Sequence, residues 1–220
     1  MSVALTPPEV NVHENVFDDI AEALFQKGYY IGTSPLPVDL CANLYQHVYS
    51  LDQTHLSQAG IGRQQEHQVN EAIRTDLIHW IDRNTVDTRQ YLDWMETLRL
   101  EINRRLFLGL FDYECHFACY PSGAYYKKHL DAFKGETNRV LTTVLYLNPE
   151  WSDWDGGELL LYDGENEIAL ERVRPDFGRM VIFLSERFPH EVLTAHRNRY
   201  SVAGWFRVNN SIGNNLDVPA

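Results

Sequence analysis

His129, Leu130 and Asp131 stand together, a second histidine, His190, lies far downstream, and Arg199 follows nine residues later. Two imidazoles and one carboxylate form a ligand set that holds ferrous iron on one face and leaves the opposite face open. A nearby guanidinium gives an anionic cosubstrate a place for its far carboxylate. Side chains two apart on a strand point the same way, so His129 and Asp131 can face one cavity while Leu130 packs outward. His190 opens a new strand directly after the apolar run RMVIFLS and a Phe-Pro bend, and antiparallel pairing can return it to the first pair. Arg199, Ser201, Ala203, Trp205 and Arg207 form one parity class on the last strand, so Arg199 and Ser201 face the same cavity. Arg197 shares that parity, but the strand pattern begins at Arg199. A His-x-Asp pair alone is weak; with His190 and Arg199 it points to an oxygenase.

These residues need a β scaffold, and the second half of the chain supplies one. From residue 112 the sequence breaks into YECHFACY, YYKKHL, VLTTVLYLN, GELLLYD, EIALERV, RMVIFLS, HEVLTA and RYSVAGWFRV. Eight short alternating runs separated by turn residues such as Pro121-Ser122-Gly123, Asp155-Gly156-Gly157 and Asp163-Gly164 read as an all-β sandwich or barrel. The expected fold is mainly β (α+β): a double-stranded β-helix, or jelly roll, over residues 111–208, with helical support in residues 1–110 and a loose tail over 209–220.

Three helices are expected ahead of the strands. Val16, Ile20 and Leu24 with Phe17 and Phe25 mark the first, stopped by Gly28; Val38, Leu40, Cys41, Leu44, Tyr45 and Val48 mark the second, opened by Pro37. Tyr91, Met95, Leu98, Ile102 and Leu106 mark the third, and Met95 with its neighbours reads as ordinary core. A strand and turn, YYIGTSPLP, separates the first two. Between the second and third lies a long polar stretch without clear period; at about 55–80 it reads as a mobile lid or substrate loop.

At 220 residues, 44% of them hydrophobic and 23% charged, the chain suits a single well-filled domain over 1–220. A formal charge of −12 disfavours a nucleic-acid partner, whose phosphates need clustered Lys and Arg. Cys41, Cys115 and Cys119 are an odd number without the spacing of a zinc site, which suits buried thiols in a reducing cytoplasm. The first residues lack the basic and apolar regions of a signal peptide, and no run approaches about 18 apolar residues, so no membrane partner is expected. The histidines at 13, 47, 55, 67, 79, 116 and 196 show no comparable arrangement and read as surface or satisfied core groups.

The strings IRTDLIHWID, ACYPSGAYYKKHLD, RVLTTVLYLNPEW, GGELLLY and PHEVLTAHRNRYSVAGWF, in this order, resemble the 2-oxoglutarate and Fe(II)-dependent oxygenases, and more narrowly the prolyl hydroxylases of the oxygen-sensor type and their bacterial relatives. The resemblance covers residues 73–207. It implies His129, Asp131 and His190 as iron ligands, and Arg199 with Tyr146 as the anchor for the distal carboxylate of 2-oxoglutarate. It further implies Val144, Leu159, Thr142, Tyr120 and Ser201 around that cosubstrate, and Arg74, Asp76, Trp80, Arg139 and Trp205 around a polypeptide. The chain departs from it in a turn one residue shorter between Tyr120 and His129, and in Ser201, where close relatives carry a small apolar residue.

The resemblance implies a protein prolyl 4-hydroxylase that consumes 2-oxoglutarate, yields succinate and CO2, and uses ascorbate as reductant. The substrate would be a proline-containing protein, with a translation factor or ribosomal protein suggested by the bacterial relatives. Two other readings stay open on the residues: an oxygenase acting on a free amino acid or small metabolite, and a cupin-like metal-binding module without oxygenase activity. The latter would have no use for Arg199 and Tyr146.

Overall fold

The computed structural model describes residues 12–51, 57–58, 73–132, 138–164 and 166–209. In chain order they form helix α1 (Val12–Lys27), strand β1 (Tyr29–Thr33), helix α2 (Val38–Ser50), strands β2 (Ser57–Gln58) and β3 (Leu77–Trp80), and helix α3 (Val86–Leu106). The remaining strands are β4 (Leu110–Tyr120), β5 (Tyr126–His129), β6 (Arg139–Tyr146), β7 (Leu159–Leu161), β8 (Glu171–Val173), β9 (Arg179–Leu184), β10 (His190–Val192) and β11 (Arg199–Val208).

The alternation of β11 dictates the layering. Val202 and Phe206 point to one side, where they join Phe117, Leu141 and Leu145 under the helices. The residues that alternate with them, Ser201, Ala203 and Trp205, point to the other side, toward a second sheet. Among the described residues the larger sheet runs β1-β9-β6-β11-β4-β3-β2 and the smaller β5-β10-β7-β8, with every pair antiparallel. Two facing antiparallel sheets of this kind make the expected jelly roll. A second apolar cluster, including Tyr120, Val144, Tyr146, Leu159, Leu161, Val181 and Phe183, fills the space between them.

The helices cover the outer face of the larger sheet. Tyr91, Met95, Leu98 and Ile102 recur at helical spacing along α3 and are fully buried, so Met95 is core as expected. The Thr85 side chain accepts the Thr88 N–H at 3.3 Å to open α3, and Phe107, at φ 55°, closes it in the left-handed region. Arg99 and Asn103 then donate to the Leu110 carbonyl at 2.6 and 2.8 Å, tying the helix to the start of β4. Gly28, at φ 83°, ends α1 as predicted.

Three expectations need correction. Phe25 and Val38 are 73% and 63% exposed, so they lie off the apolar stripes of their helices. The strand expected over EIALERV narrows to Glu171–Val173, with Ile168 exposed before it. Within the stretch read as a loop, Leu77–Trp80 is a strand paired to β4 from Leu77↔Cys119 to Trp80↔His116. A four-residue strand displays too little period to be seen; pairing with a long neighbour specifies it. Residues 59–72, which carry most of the predicted lid, lie outside the described residues.

Candidate metal and cosubstrate site

The inner face of the larger sheet is a ladder read across β4, β11 and β6. Tyr120 pairs with Arg199; Ala118, Ser201 and Tyr146 share the next row; His116, Ala203 and Val144 the next; Glu114, Trp205 and Thr142 the next; Asp112 pairs with Arg207. Directly opposed residues of antiparallel strands project to the same face. The predicted parity class of β11 therefore forms one continuous line from Arg199 to Arg207.

The smaller sheet supplies the histidines. His190 opens β10 and pairs directly with His129, the last residue of β5. Asp131 follows β5, and the Nε2 atoms of His129 and His190 lie 3.6 Å from its Oδ1 and Oδ2 respectively. One ligand atom from each residue can be chosen so that all lie within 4.8 Å of one another. Each histidine places Nδ1 on a carbonyl oxygen, His129 on Lys127 at 2.8 Å and His190 on Phe188 at 3.2 Å. A carbonyl only accepts, so Nδ1 carries the proton and the Nε2 lone pairs are directed at the centre. Burial, with His129 beside it, pulls His190 down to about 4, keeping it a neutral donor at neutral pH. Burial opposes the charge on Asp131, yet His190, His129 and the Thr142 hydroxyl outweigh it and hold this carboxyl below the usual range. The Thr142 hydroxyl donates to Asp131 Oδ2 at 2.8 Å and sits 2.9 Å from Ser185 Oγ. Thr142, expected beside the cosubstrate, is thus engaged with the metal-side carboxylate.

Arg199 lies at the other end of the ladder and is 1% exposed. Its Nε donates to the Gly157 carbonyl at 2.8 Å, its Nη1 is 3.4 Å from Ser201 Oγ, and it stands 4.9 and 5.0 Å from the ring centroids of Tyr120 and Tyr146. Among the described residues no carboxylate pairs with it. The Tyr146 hydroxyl is buried and has no hydrogen-bond partner among them either. Burial pushes this phenol up to about 12, so it remains a donor. Val144 and Leu159 belong to the same buried cluster as the two tyrosines. Arg197, the rival guanidinium, is partly exposed and donates to the Pro149 and Glu150 carbonyls.

The residues expected around a polypeptide fall into two groups. Arg74 grips Asp76 with Nε and Nη2 at 2.8 and 2.6 Å and lies 4.4 Å from the ring centroid of Tyr126, which stacks on His129 at 3.5 Å. Arg139 lies 3.6 Å over the Trp205 ring, and Trp205 and Trp80 both contact the His116 ring, at 5.5 and 5.2 Å. Trp80 is 52% exposed and Trp205 8%.

Residues 115–207 match the family described as the 2OG-Fe(II) oxygenase superfamily. A prolyl-4-hydroxylase of known crystal structure from Pseudomonas putida is 40% identical, with a TM-score of 0.78 over 88% of this chain and 98% of that one. The chain belongs to the 2-oxoglutarate and Fe(II)-dependent oxygenase superfamily. This oxygenase is also similar to a prolyl hydroxylase from Trichoplax adhaerens, solved with a hypoxia-inducible factor peptide fragment: 31% identity and a TM-score of 0.78, covering 89% and 90% of the two chains. Egl nine homolog 1 of Homo sapiens is 35% identical over 91 residues, which make up 40% of this chain and 21% of that protein's length. Membership implies Fe(II) and 2-oxoglutarate as the oxygenase's cofactor and cosubstrate.

Sequence reasoning missed three parts of this oxygenase site. Gly157, read as a turn residue, has φ 67°, and a Cβ there would sit 2.9 Å from Arg199 Cδ, so the glycine makes room for the guanidinium it binds. Tyr126 and His129 have opposite parity and still stack, because three residues of β5 advance against two of β10. That bulge turns Tyr126 onto the histidine's face. Glu114 and His116 alternate visibly in YECHFACY, but strand pairing alone reveals their partners. The cysteines are free and buried as expected, and no helix among the described residues is long and apolar enough to cross a membrane.

Proposed function

We propose that this oxygenase is a prolyl 4-hydroxylase acting on a proline-containing protein and converting 2-oxoglutarate to succinate and CO2. The observation that carries the cosubstrate reading is the buried Arg199 guanidinium, without a carboxylate partner, beside the unpartnered Tyr146 hydroxyl. An uncompensated buried charge costs several kcal/mol, which an anionic ligand with a planar carboxylate relieves. The donor set at the other end fits ferrous iron: two imidazoles, each with Nδ1 on a backbone carbonyl, and a carboxylate kept ionised. His129, Asp131 and His190 would hold the metal, which when bound supplies dioxygen activation and removal of hydrogen from the substrate carbon.

The chain's own residues position and shield. Arg199 and Tyr146, with Ser201, fix the distal carboxylate, while Val144, Leu159 and Tyr120 exclude water from the cosubstrate's stem. Thr142 keeps Asp131 turned toward the two histidines. Arg74, Asp76, Trp80, Arg139 and Trp205 flank the polypeptide. The protein reading draws support from the Pseudomonas putida prolyl-4-hydroxylase and from the peptide bound to the Trichoplax adhaerens relative. A translation factor or ribosomal protein in the cytoplasm is the partner we propose, and the whole chain is taken as one domain.

Incubation of cytoplasmic proteins with the purified oxygenase, Fe(II), 2-oxoglutarate and ascorbate tests the reading. Mass spectrometry should find a gain of one oxygen on proline, with matching succinate; His129→Ala and Asp131→Ala should lose both. Succinate release stimulated by free amino acids, without protein oxidation, would overturn the protein-substrate reading.

A further inference from the structure

We infer that Glu114 and His116, two residues of β4 without an assigned role, are positioning residues that hold Arg139, Trp205 and Trp80 as one rigid wall for the polypeptide. The inference rests on the protein-substrate reading. Both side chains project to the inner face, two residues apart, and lie on the rows of Trp205 and Ala203. Glu114 Oε1 accepts from Arg139 Nε and Nη2 at 3.0 and 2.8 Å, and its Oε2 lies 3.5 Å from Arg207 Nη1. Arg207 in turn grips Asp112 with Nε and Nη2. This chain of alternating charges holds the Arg139 guanidinium over the Trp205 indole.

His116 braces the same indole. It is 3% exposed, rests its Nδ1 on the Phe117 carbonyl at 3.1 Å, and meets Trp205 tilted and Trp80 edge-on. Trp80 is half-exposed at the end of a four-residue strand, so His116 gives it a fixed angle that the strand alone would not. The assembled wall stands beside the metal end, because Trp205 is directly opposite Thr142, whose hydroxyl holds Asp131. The Trp205 indole N–H is buried without an acceptor among the described residues. A wall whose charges are paired and whose indole donor is left over suits a backbone carbonyl of an extended chain, recognised by shape and hydrogen bonding rather than by charge.

Steady-state kinetics on a proline-containing polypeptide that the oxygenase turns over, with 2-oxoglutarate affinity measured alongside, decide the matter. Glu114→Ala should raise the polypeptide KM about tenfold and shift the 2-oxoglutarate KM by less than about twofold, the size expected when a cation–π contact and its anchoring ion pair are released. Glu114→Gln keeps an acceptor for Arg139 and should recover most of that loss. His116→Ala should raise the polypeptide KM by about three- to tenfold, and His116→Phe, which keeps the aromatic contacts, should restore it. Equal damage to both KM values, or no rescue by Gln and Phe, would mean a general packing role and overturn the inference. A polypeptide KM unchanged in both alanine variants, with an active wild-type protein, would overturn it alone. Absence of polypeptide turnover by the wild-type protein would overturn the substrate reading and this inference with it.

Discussion

Arg199 and Arg207 project from the same face of β11, eight residues apart, and both are buried, at 1% and 6% exposure. Arg207 stands in a chain of opposite charges, with Asp112 across the strand and Glu114 beside it. Arg199 has a carbonyl, a distant hydroxyl and two aromatic faces, and among the described residues no carboxylate. One end of the ladder is electrostatically complete and the other is not. A buried ion pair left whole is close to neutral for stability, whereas a buried charge without a partner is a standing cost that folding tolerates where a ligand will supply the partner. The two ends therefore separate residues that hold the protein together from residues held ready for something else.

Arg207→Met should produce the largest effect, because it removes the buried guanidinium that Asp112 and Glu114 both face: about 3–5 kcal/mol of lost stability in urea unfolding of the metal-free protein. Arg199→Met should behave oppositely in the same measurement, staying within about 1 kcal/mol of the parent, because it removes an uncompensated charge. Its effect belongs to binding, where the apparent affinity for 2-oxoglutarate should fall by about 100-fold with Fe(II) affinity retained. Equal destabilisation by the two substitutions would break the comparison. Tyr146→Phe sharpens it at the smaller end: loss of one hydrogen bond to a charged group should weaken 2-oxoglutarate by about tenfold and leave folding almost untouched.

The site was legible wherever chemistry followed strand parity. Arg199, Ser201 and Trp205 could be placed on one face from RYSVAGWFRV alone, because period two is a local property; His129 and Asp131 do meet, but β5 ends at His129 and Asp131 lies beyond the strand. The strands with clear turn residues between them were likewise readable. Relations set by pairing were not. LIHW carries no period of its own, the bulge in β5 reverses the parity of Tyr126, and Glu114 meets Arg139 through the register of β4, β11 and β6. Phe25 and Val38 failed for a different reason: an apolar residue beside a helical stripe carries no mark of which side of its neighbour it falls on.

The run from Ile73 to Trp80 belongs to both sheets. Arg74 bridges to Tyr126, Lys127 N–H donates to the Ile73 carbonyl at 2.9 Å and Thr75 N–H to Tyr125 at 3.2 Å, while Leu77–Trp80 is paired to β4. The two imidazoles sit on one sheet and Arg199 on the other. A molecule gripped at both ends must therefore match the separation of the sheets, and this run fixes that separation with backbone hydrogen bonds rather than with pliable side chains. On the proposed reading the fold works as a caliper. It selects a dicarboxylic acid by its span, so an analogue one carbon shorter or longer would satisfy one jaw and miss the other.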